Sequence, residues 1–184
     1  KQPGWTILAA SRSGGASSHL ANLKLPNVQM VKGSVEDLDN TRELTKDVDM
    51  VYCCIGFPKY KAKYWAEHWP IVVNNLLEVT SASRPLVFCD NLYAHGPNIN
   101  ISTKTSTVPA DLTTKPGTRS KIRKLFQKRM DEDPQAIVVV GAADFFGPRL
   151  EGKTVLGDPF LGNIAVGKKP MALGSASKLH DFAY

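Results

Sequence analysis

Within residues 85–97 the chain reads Pro-Leu-Val-Phe-Cys-Asp-Asn-Leu-Tyr-Ala-His-Gly-Pro, which sets a carboxylate (Asp90), an amide (Asn91), a phenol (Tyr93) and an imidazole (His95) close together. Side chains of these types can donate, accept and transfer protons. The apolar residues 86–89 ahead of them read as a buried strand emptying into a site, because ligands of open α/β sheets sit outside the carboxyl ends of the strands. A second group is the Pro-Gly-Thr-Arg-Ser-Lys run of residues 116–121, which ends in Lys121. The three cysteines, with Cys53 and Cys54 adjacent, lie in or beside apolar runs. They have neither metal-ligand spacing nor a disulfide framework, so they are expected to be buried thiols in a reducing, cytoplasmic compartment, with no metal site.

The elements that must position these groups follow from the hydrophobic pattern. Residues 5–10, 28–31, 49–55, 85–89 and 136–140 are short apolar runs that read as strands, the third nearly all apolar, as a strand covered on both faces should be. Residues 38–46 have helical composition. Residues 64–81 carry Trp65, Trp69, Val72, Val73 and Leu76 at steps of three and four, the stripe of a long helix facing a core. Residues 118–130 repeat the pattern with Ile122, Leu125, Phe126 and Met130 inward and Lys121, Lys124 and Lys128 on another face. Strands alternating with helices predict a doubly wound parallel sheet, with Ile7, Val31, Val51, Val87 and Val138 on neighbouring or nearby strands. The polar stretch 98–115 is too rich in Ser, Thr and Pro to be regular, and long loops of this kind tend to be functional. Its Asn100-Ile101-Ser102 spells a glycosylation acceptor that reads as chance. The 184 residues, 42% hydrophobic, suit one domain with a real core. No apolar run is long enough to span a membrane. An opening Lys1 points to processing or to a fragment.

Several segments, in this order, resemble one family. Residues 7–13, Ile-Leu-Ala-Ala-Ser-Arg-Ser, are similar to its second strand and that strand's basic end, and residues 31–37, Val-Lys-Gly-Ser-Val-Glu-Asp, to its Gly-Asp-x-x-Asp turn. Residues 49–54 resemble its fourth strand, and residues 87–96 the strand that ends in Ser-Ser-x-x-Val-Tyr-Gly. Residues 116–121 and the Asp-Phe-Phe-Gly-Pro of 144–148 complete the match. The chain thus resembles part of an extended short-chain dehydrogenase/reductase, the NAD(P)-dependent epimerase/dehydratase family, in an atypical branch truncated at both ends. The resemblance implies a Rossmann-like fold that lacks the first strand, the glycine-rich phosphate loop and most of the C-terminal substrate domain. Residues 1–150 would be an incomplete NAD(P)-binding domain, and 151–184 the start of the substrate region.

The resemblance also implies roles. Arg12 stands where a basic side chain meets the adenosine 2′-phosphate, which implies NADP, with NAD as the alternative. Ser34, beside Val35, replaces an aspartate that would bond adenine, and Cys53 and Cys54 stand at the sheet edge that faces ribose and pyrophosphate. The family's acid–base pair is Tyr-x-x-x-Lys, whose spacing puts both groups on one helix face. Here Lys121 is kept as a candidate for catalysis and cofactor contact, but the tyrosine position is Gly117. Asn91 takes the position of the hydroxyl that holds the reacting oxygen. Tyr93 is the phenol that could act as acid, or else it anchors its loop. The implied activity is that of an epimerase, dehydratase or reductase on a small or sugar-like substrate, with oligomeric state left open and turnover open to loss.

A different class of function rests on charge. The chain carries a formal +6, and residues 104–129 hold eight basic residues against one acidic, Asp111. Such a helix beside a Thr/Ser-rich loop could contact the phosphates of RNA. The reading lacks aromatic residues interleaved with the charges on which bases would stack. A non-catalytic cofactor- or RNA-binding module is therefore the alternative reading.

Overall fold

A computed structural model of the chain describes residues 4–15, 22–96, 108–148, 150, 154–172, 175, 177, 180 and 182–183. Strand β1 (Ile7–Ser11) pairs with β2 (Val28–Lys32), and β3 (Val51–Cys53), β4 (Leu86–Asn91) and β5 (Ile137–Ala142) form a second sheet in the order β3-β4-β5. Two short strands, β6 (Asp144–Phe145) and β7 (Phe182–Ala183), pair near the end. Every pairing between these strands is parallel, with Ala10 opposite Val31, Val51 opposite Leu86 and Val87 opposite Val138. The helices between them are α1 (Leu38–Thr45), α2 (Ala62–Val79) and α3 (Lys115–Glu132). The parallel α/β architecture expected from the alternation is present. Among the described residues no helix is long and apolar enough to cross a membrane.

Local chemistry sets the helix starts. Asp37 caps α1 by accepting from the Asn40 N–H at 2.8 Å, and Thr114 caps α3 by accepting from the Gly117 N–H at 3.0 Å, with Pro116 inside the first turn. That cap and proline start α3 at Lys115, three residues before the periodicity predicts, because a proline fits a first turn where no N–H is needed. The stripe of α2 is core throughout: Trp65, Trp69, Val72, Val73 and Leu76 are all buried. Trp69 meets Phe88 of β4 with ring centroids 5.8 Å apart, and Phe88 meets Phe126 of α3 at 4.7 Å. These aromatic contacts tie both long helices to the central strand, with each large side chain contributing about 1.5–3 kcal/mol by burial.

The third strand departs from expectation. Only residues 51–53 are extended and paired, and Met50, Tyr52 and Ile55 are 40%, 58% and 38% exposed rather than covered. The cause is its pairing: among the described residues β3 bonds to β4 on one side and to no strand on the other. The two sheet halves, β1-β2 and β3-β4-β5, are consequently not joined by hydrogen bonds, and a cleft of about 1110 Å³ runs between them. Residues 98–107, which include the Asn100 acceptor and Lys104, lie outside the described residues; 108–114 is irregular, as expected.

Candidate functional site

The cleft is lined by β1, by residues 33–36, by residues 47–57 and by the base of α2 at Leu76. Arg12, Ser34, Val35, Cys53 and Cys54 all stand on its wall. The turn after β1 is built by Ser11, whose hydroxyl accepts from the Gly14 N–H at 3.1 Å. Gly14 has φ +73°, and a Cβ there would lie 2.9 Å from that of Lys32, so only glycine fits the turn that leaves Arg12 exposed at the mouth. At the end of β2, Gly33 lets α1 pack close: a Cβ would fall 2.6 Å from Asn40 Oδ1 and 2.7 Å from Leu44. Asn40 Oδ1 then accepts from the Ser34 N–H at 2.6 Å, and the Ser34 hydroxyl accepts from the Glu36 N–H at 3.3 Å. The Val35 carbonyl accepts from Asn75 of α2 at 3.0 Å, and Glu36 pairs with His68 of the same helix. This wall is thus fixed to α2 before any ligand arrives.

The thiols differ from one another. Cys53 is buried and Cys89 half-buried, but Cys54 is exposed, which corrects the expectation of three buried thiols. Side chains alternate along a strand, and Cys54 lies just past the last paired residue, where nothing covers it. Burial pushes the Cys53 thiol from its ordinary 9.0 up to about 11. The folded protein therefore keeps the Cys53 proton where the unfolded chain loses it. Stability is unaffected by this thiol below pH 9 and is expected to fall as pH rises from 9 toward 11. Chemical unfolding across that range, with Cys53→Ala showing a flatter dependence than the parent, checks the assignment.

The second cluster lies where β4 ends. Asp90 is buried and is shared by two arginines of α3: Arg119 Nη1 lies 3.1 Å from one carboxylate oxygen, and Arg123 Nε donates to the other at 3.0 Å. A second Arg123 nitrogen meets His95 Nε2 at 3.0 Å, so His95 is part of the buried framework. The Arg119 guanidinium lies over Trp69 at 3.8 Å and Trp65 at 4.8 Å, and its Nε has no polar partner among the described residues. Burial pulls Arg119 down from its ordinary value, with Asp90 opposing. Asn91 turns inward on its own loop, its Oδ1 accepting from the Tyr93 N–H at 3.1 Å.

Tyr93 stacks on Trp65 with centroids 6.2 Å apart, and its hydroxyl is hydrogen-bonded to that of Tyr60. Burial and this bond to Tyr93 hold the Tyr60 phenol well above its ordinary value, so it stays protonated. Lys115 lies over the Tyr60 ring, 3.3 Å from its centre, and the Arg119 guanidinium acts electrostatically on both phenols. Lys121 is exposed and makes no hydrogen bond, ion pair or ring contact among the described residues. Tyr60 and Lys115 stand outside the site residues that the sequence marks. Their signal was faint, a polar aromatic stretch ahead of α2 and one member of a basic run.

Gly117 has a structural reason of its own. A Cβ there would lie 2.0 Å from the Asp111 carbonyl oxygen and 2.6 Å from its nitrogen, so the 108–114 segment occupies the space a side chain would need. The basic run is also largely committed: Arg119 and Arg123 serve Asp90, Arg129 donates to the Thr80 carbonyl at 2.8 Å, and Lys115 lies on Tyr60. Lys121, Lys124 and Lys128 remain as the exposed face of α3.

No protein-family model and no curated protein matches the chain. Solved structures do match. One is dTDP-glucose 4,6-dehydratase from Bacillus anthracis in complex with NAD, at 15% identity and a TM-score of 0.72, covering 96% of this chain and 58% of that one. Another is UDP-glucuronic acid 4-epimerase from Bacillus cereus in complex with NAD, at 16% identity and 0.72, covering 97% and 61%. A third is a double mutant of dTDP-glucose 4,6-dehydratase from Streptomyces venezuelae with NAD bound, at 14% and 0.75, covering 98% and 59%. The chain thus spans about three fifths of the length of these structures. The fold is the Rossmann-like parallel α/β fold of NAD-dependent epimerases and dehydratases, in part.

Proposed function

We propose that the chain is the dinucleotide-binding part of an epimerase-, dehydratase- or reductase-like protein that acts on a small or sugar-like substrate and prefers NADP to NAD. The observation that carries this reading is that Arg12, Ser34, Val35, Cys53 and Cys54, spread over more than forty residues of sequence, line one cleft. An exposed guanidinium at the cleft mouth suits a phosphate, and the half-buried Ser34 and Val35 suit the flat adenosine beside it. When bound, the nicotinamide supplies hydride transfer. Residues 1–150 form the cofactor part in this reading and 151–184 begin the substrate part, in a reducing compartment consistent with three free cysteines. Tyr93 serves as the acid, with Asn91 ordering its loop and Lys121 as a cofactor contact from α3.

Calorimetric titration of the 184-residue chain is expected to show binding weaker than micromolar, because among the described residues that line the cleft none forms the glycine-rich phosphate loop. NADP should still bind more tightly than NAD, and Arg12→Ala should remove the difference, about tenfold for one charge-assisted phosphate contact. Alkylation of the exposed Cys54 gives a second readout and should slow when NADP is present. Equal affinity for the two cofactors would remove the role given to Arg12, and absence of any Cys54 protection would remove the cleft as the cofactor site.

If Tyr93 is the acid, Tyr93→Phe in the active protein should lower turnover about a hundredfold, the lower range for general acid–base help. Lys115→Met should also lower turnover if the cation over the Tyr60 ring matters more than Lys121. An unchanged rate in Tyr93→Phe would leave Tyr93 as a packing residue on Trp65.

A further inference from the structure

Two of the three cysteines meet on the open face of the sheet. The register of β3 against β4 pairs Val51 with Leu86, Tyr52 with Val87 and Cys53 with Phe88, so the residues that follow, Cys54 and Cys89, come side by side where β3 ends. Cys53 and Phe88 are buried in the core with Trp69 of α2 and Phe126 of α3. Alternation along a strand turns the next pair to the opposite face. That face is open: Cys54 is exposed, Cys89 is half-buried, and Val140, which pairs with Cys89 on β5, is 47% exposed. Burial, and after it the neighbouring Cys54, pushes the Cys89 thiol above its ordinary value. Neighbouring strands run about 4.7–4.9 Å apart, inside the roughly 4.4–6.8 Å that separates the Cα atoms of a disulfide. Cys53 points into the core instead, away from both.

We propose that Cys54 and Cys89 form a reversible disulfide, a thiol switch at the wall of the cleft whose co-reactant is a small disulfide of the glutathione type. The exposed Cys54 meets that molecule first. Cys54 gives up its proton and its sulfur attacks one sulfur of the small disulfide, whose S–S bond breaks and whose released thiolate takes up a proton. Cys89 then loses its proton and attacks Cys54 Sγ, which frees the second small thiol. Two protein thiols are thereby oxidised by two electrons, and one small disulfide is reduced to two thiols. Cys54 lines the cleft, so the bond fastens the cleft-side end of β3 to β4 and removes a thiol from the wall. Exposed disulfides are the readily reduced ones, so an excess of small thiol reverses the change. The proposal stands on strand register and exposure and is independent of the cofactor reading.

The test places the 184-residue chain in buffers of oxidised and reduced glutathione and reads intact mass and peptide maps. With oxidised glutathione in excess the chain should lose the mass of two hydrogens, and labelling of Cys54 by a maleimide should fall about tenfold or more. Excess reduced glutathione should restore both. Cys53→Ala, which leaves only Cys54 and Cys89, should form the bond as the parent does, whereas Cys54→Ser should not. Cys89→Ser should instead keep a glutathione on Cys54, because no second thiol is there to displace it. Glutathione retained on Cys54 of the parent, with Cys89 still open to labelling, would overturn the proposal by showing the two sulfurs out of reach. A bond mapped between Cys53 and Cys54, or one that joins two chains on a non-reducing gel, would overturn it as well.

Discussion

Replacing Asp90 with alanine is expected to cost about 3–5 kcal/mol of folding stability, the penalty for removing one partner of a buried ion pair. The Asp90 side chain has no exposure and faces two guanidinium groups from one helix, Arg119 with 6% of its side chain exposed and Arg123 with 20%. Without the carboxylate, two positive charges remain, Arg119 against Trp65 and Trp69 and Arg123 against His95, with no ion-pair partner for either among the described residues. Arg119 is the more costly of the two, since its Nε already lacks a partner. The same logic gives a control. Pairing Asp90→Leu with Arg119→Met removes one charge of each sign, and a buried pair replaced by apolar groups of similar volume is often neutral. The double variant should therefore recover much of the loss, although Arg123 and the contact with His95 remain. Urea unfolding of the three proteins decides the matter. A loss below about 1 kcal/mol in Asp90→Ala would mean that water reaches the arginines.

That network was invisible in the sequence for a physical reason. Asp90 reads as a polar residue at a strand end, where ligands are expected, and Arg119 and Arg123 read as part of a basic face. The periodicity turns positions 121, 124 and 128 away from the core, but only the fold shows that a helix begun at Lys115 brings 119 and 123 to Asp90 of β4. The apolar elements were legible because burial writes its period directly: Trp65, Trp69, Val72, Val73 and Leu76 are core as their spacing requires. Strand β3 departs from its expected burial because its composition reports what would cover it, whereas its exposure depends on whether a neighbour is present. The five residues that the resemblance assigns to the cofactor were named through their order along the chain, and one cleft brings them together. Lys121 and Tyr93 followed from the same order, yet the phenol meets Tyr60 and Trp65 instead, because those contacts depend on how the segment ahead of α2 folds.

Restoring a tyrosine at Gly117 is expected to damage the protein rather than to complete a Tyr-x-x-x-Lys pair with Lys121. The obstacle at that position is backbone: a Cβ would lie 2.0 Å from the Asp111 oxygen and 2.7 Å from its carbonyl carbon. Backbone cannot rotate away as a flexible side chain can, so the cost should reach the upper part of the overpacking range, about 3 kcal/mol or more. Relief would require the 108–114 segment to move, and that segment is tied down. Thr113 donates to the Asp111 carboxylate, holding it below the usual carboxylate range, the Val108 carbonyl accepts from the Ser120 hydroxyl, and Thr114 caps α3. Gly117→Ala separates the two effects, because it brings the Cβ without the ring. Alanine should already destabilise measurably, although it favours helix over glycine by about 1 kcal/mol in an open site. Thermal unfolding that ranks the parent above alanine and alanine above tyrosine would place the obstruction at the Cβ. A stable Gly117→Tyr protein would show that the segment yields, and the phenol beside Lys121 would then become a better candidate acid than Tyr93.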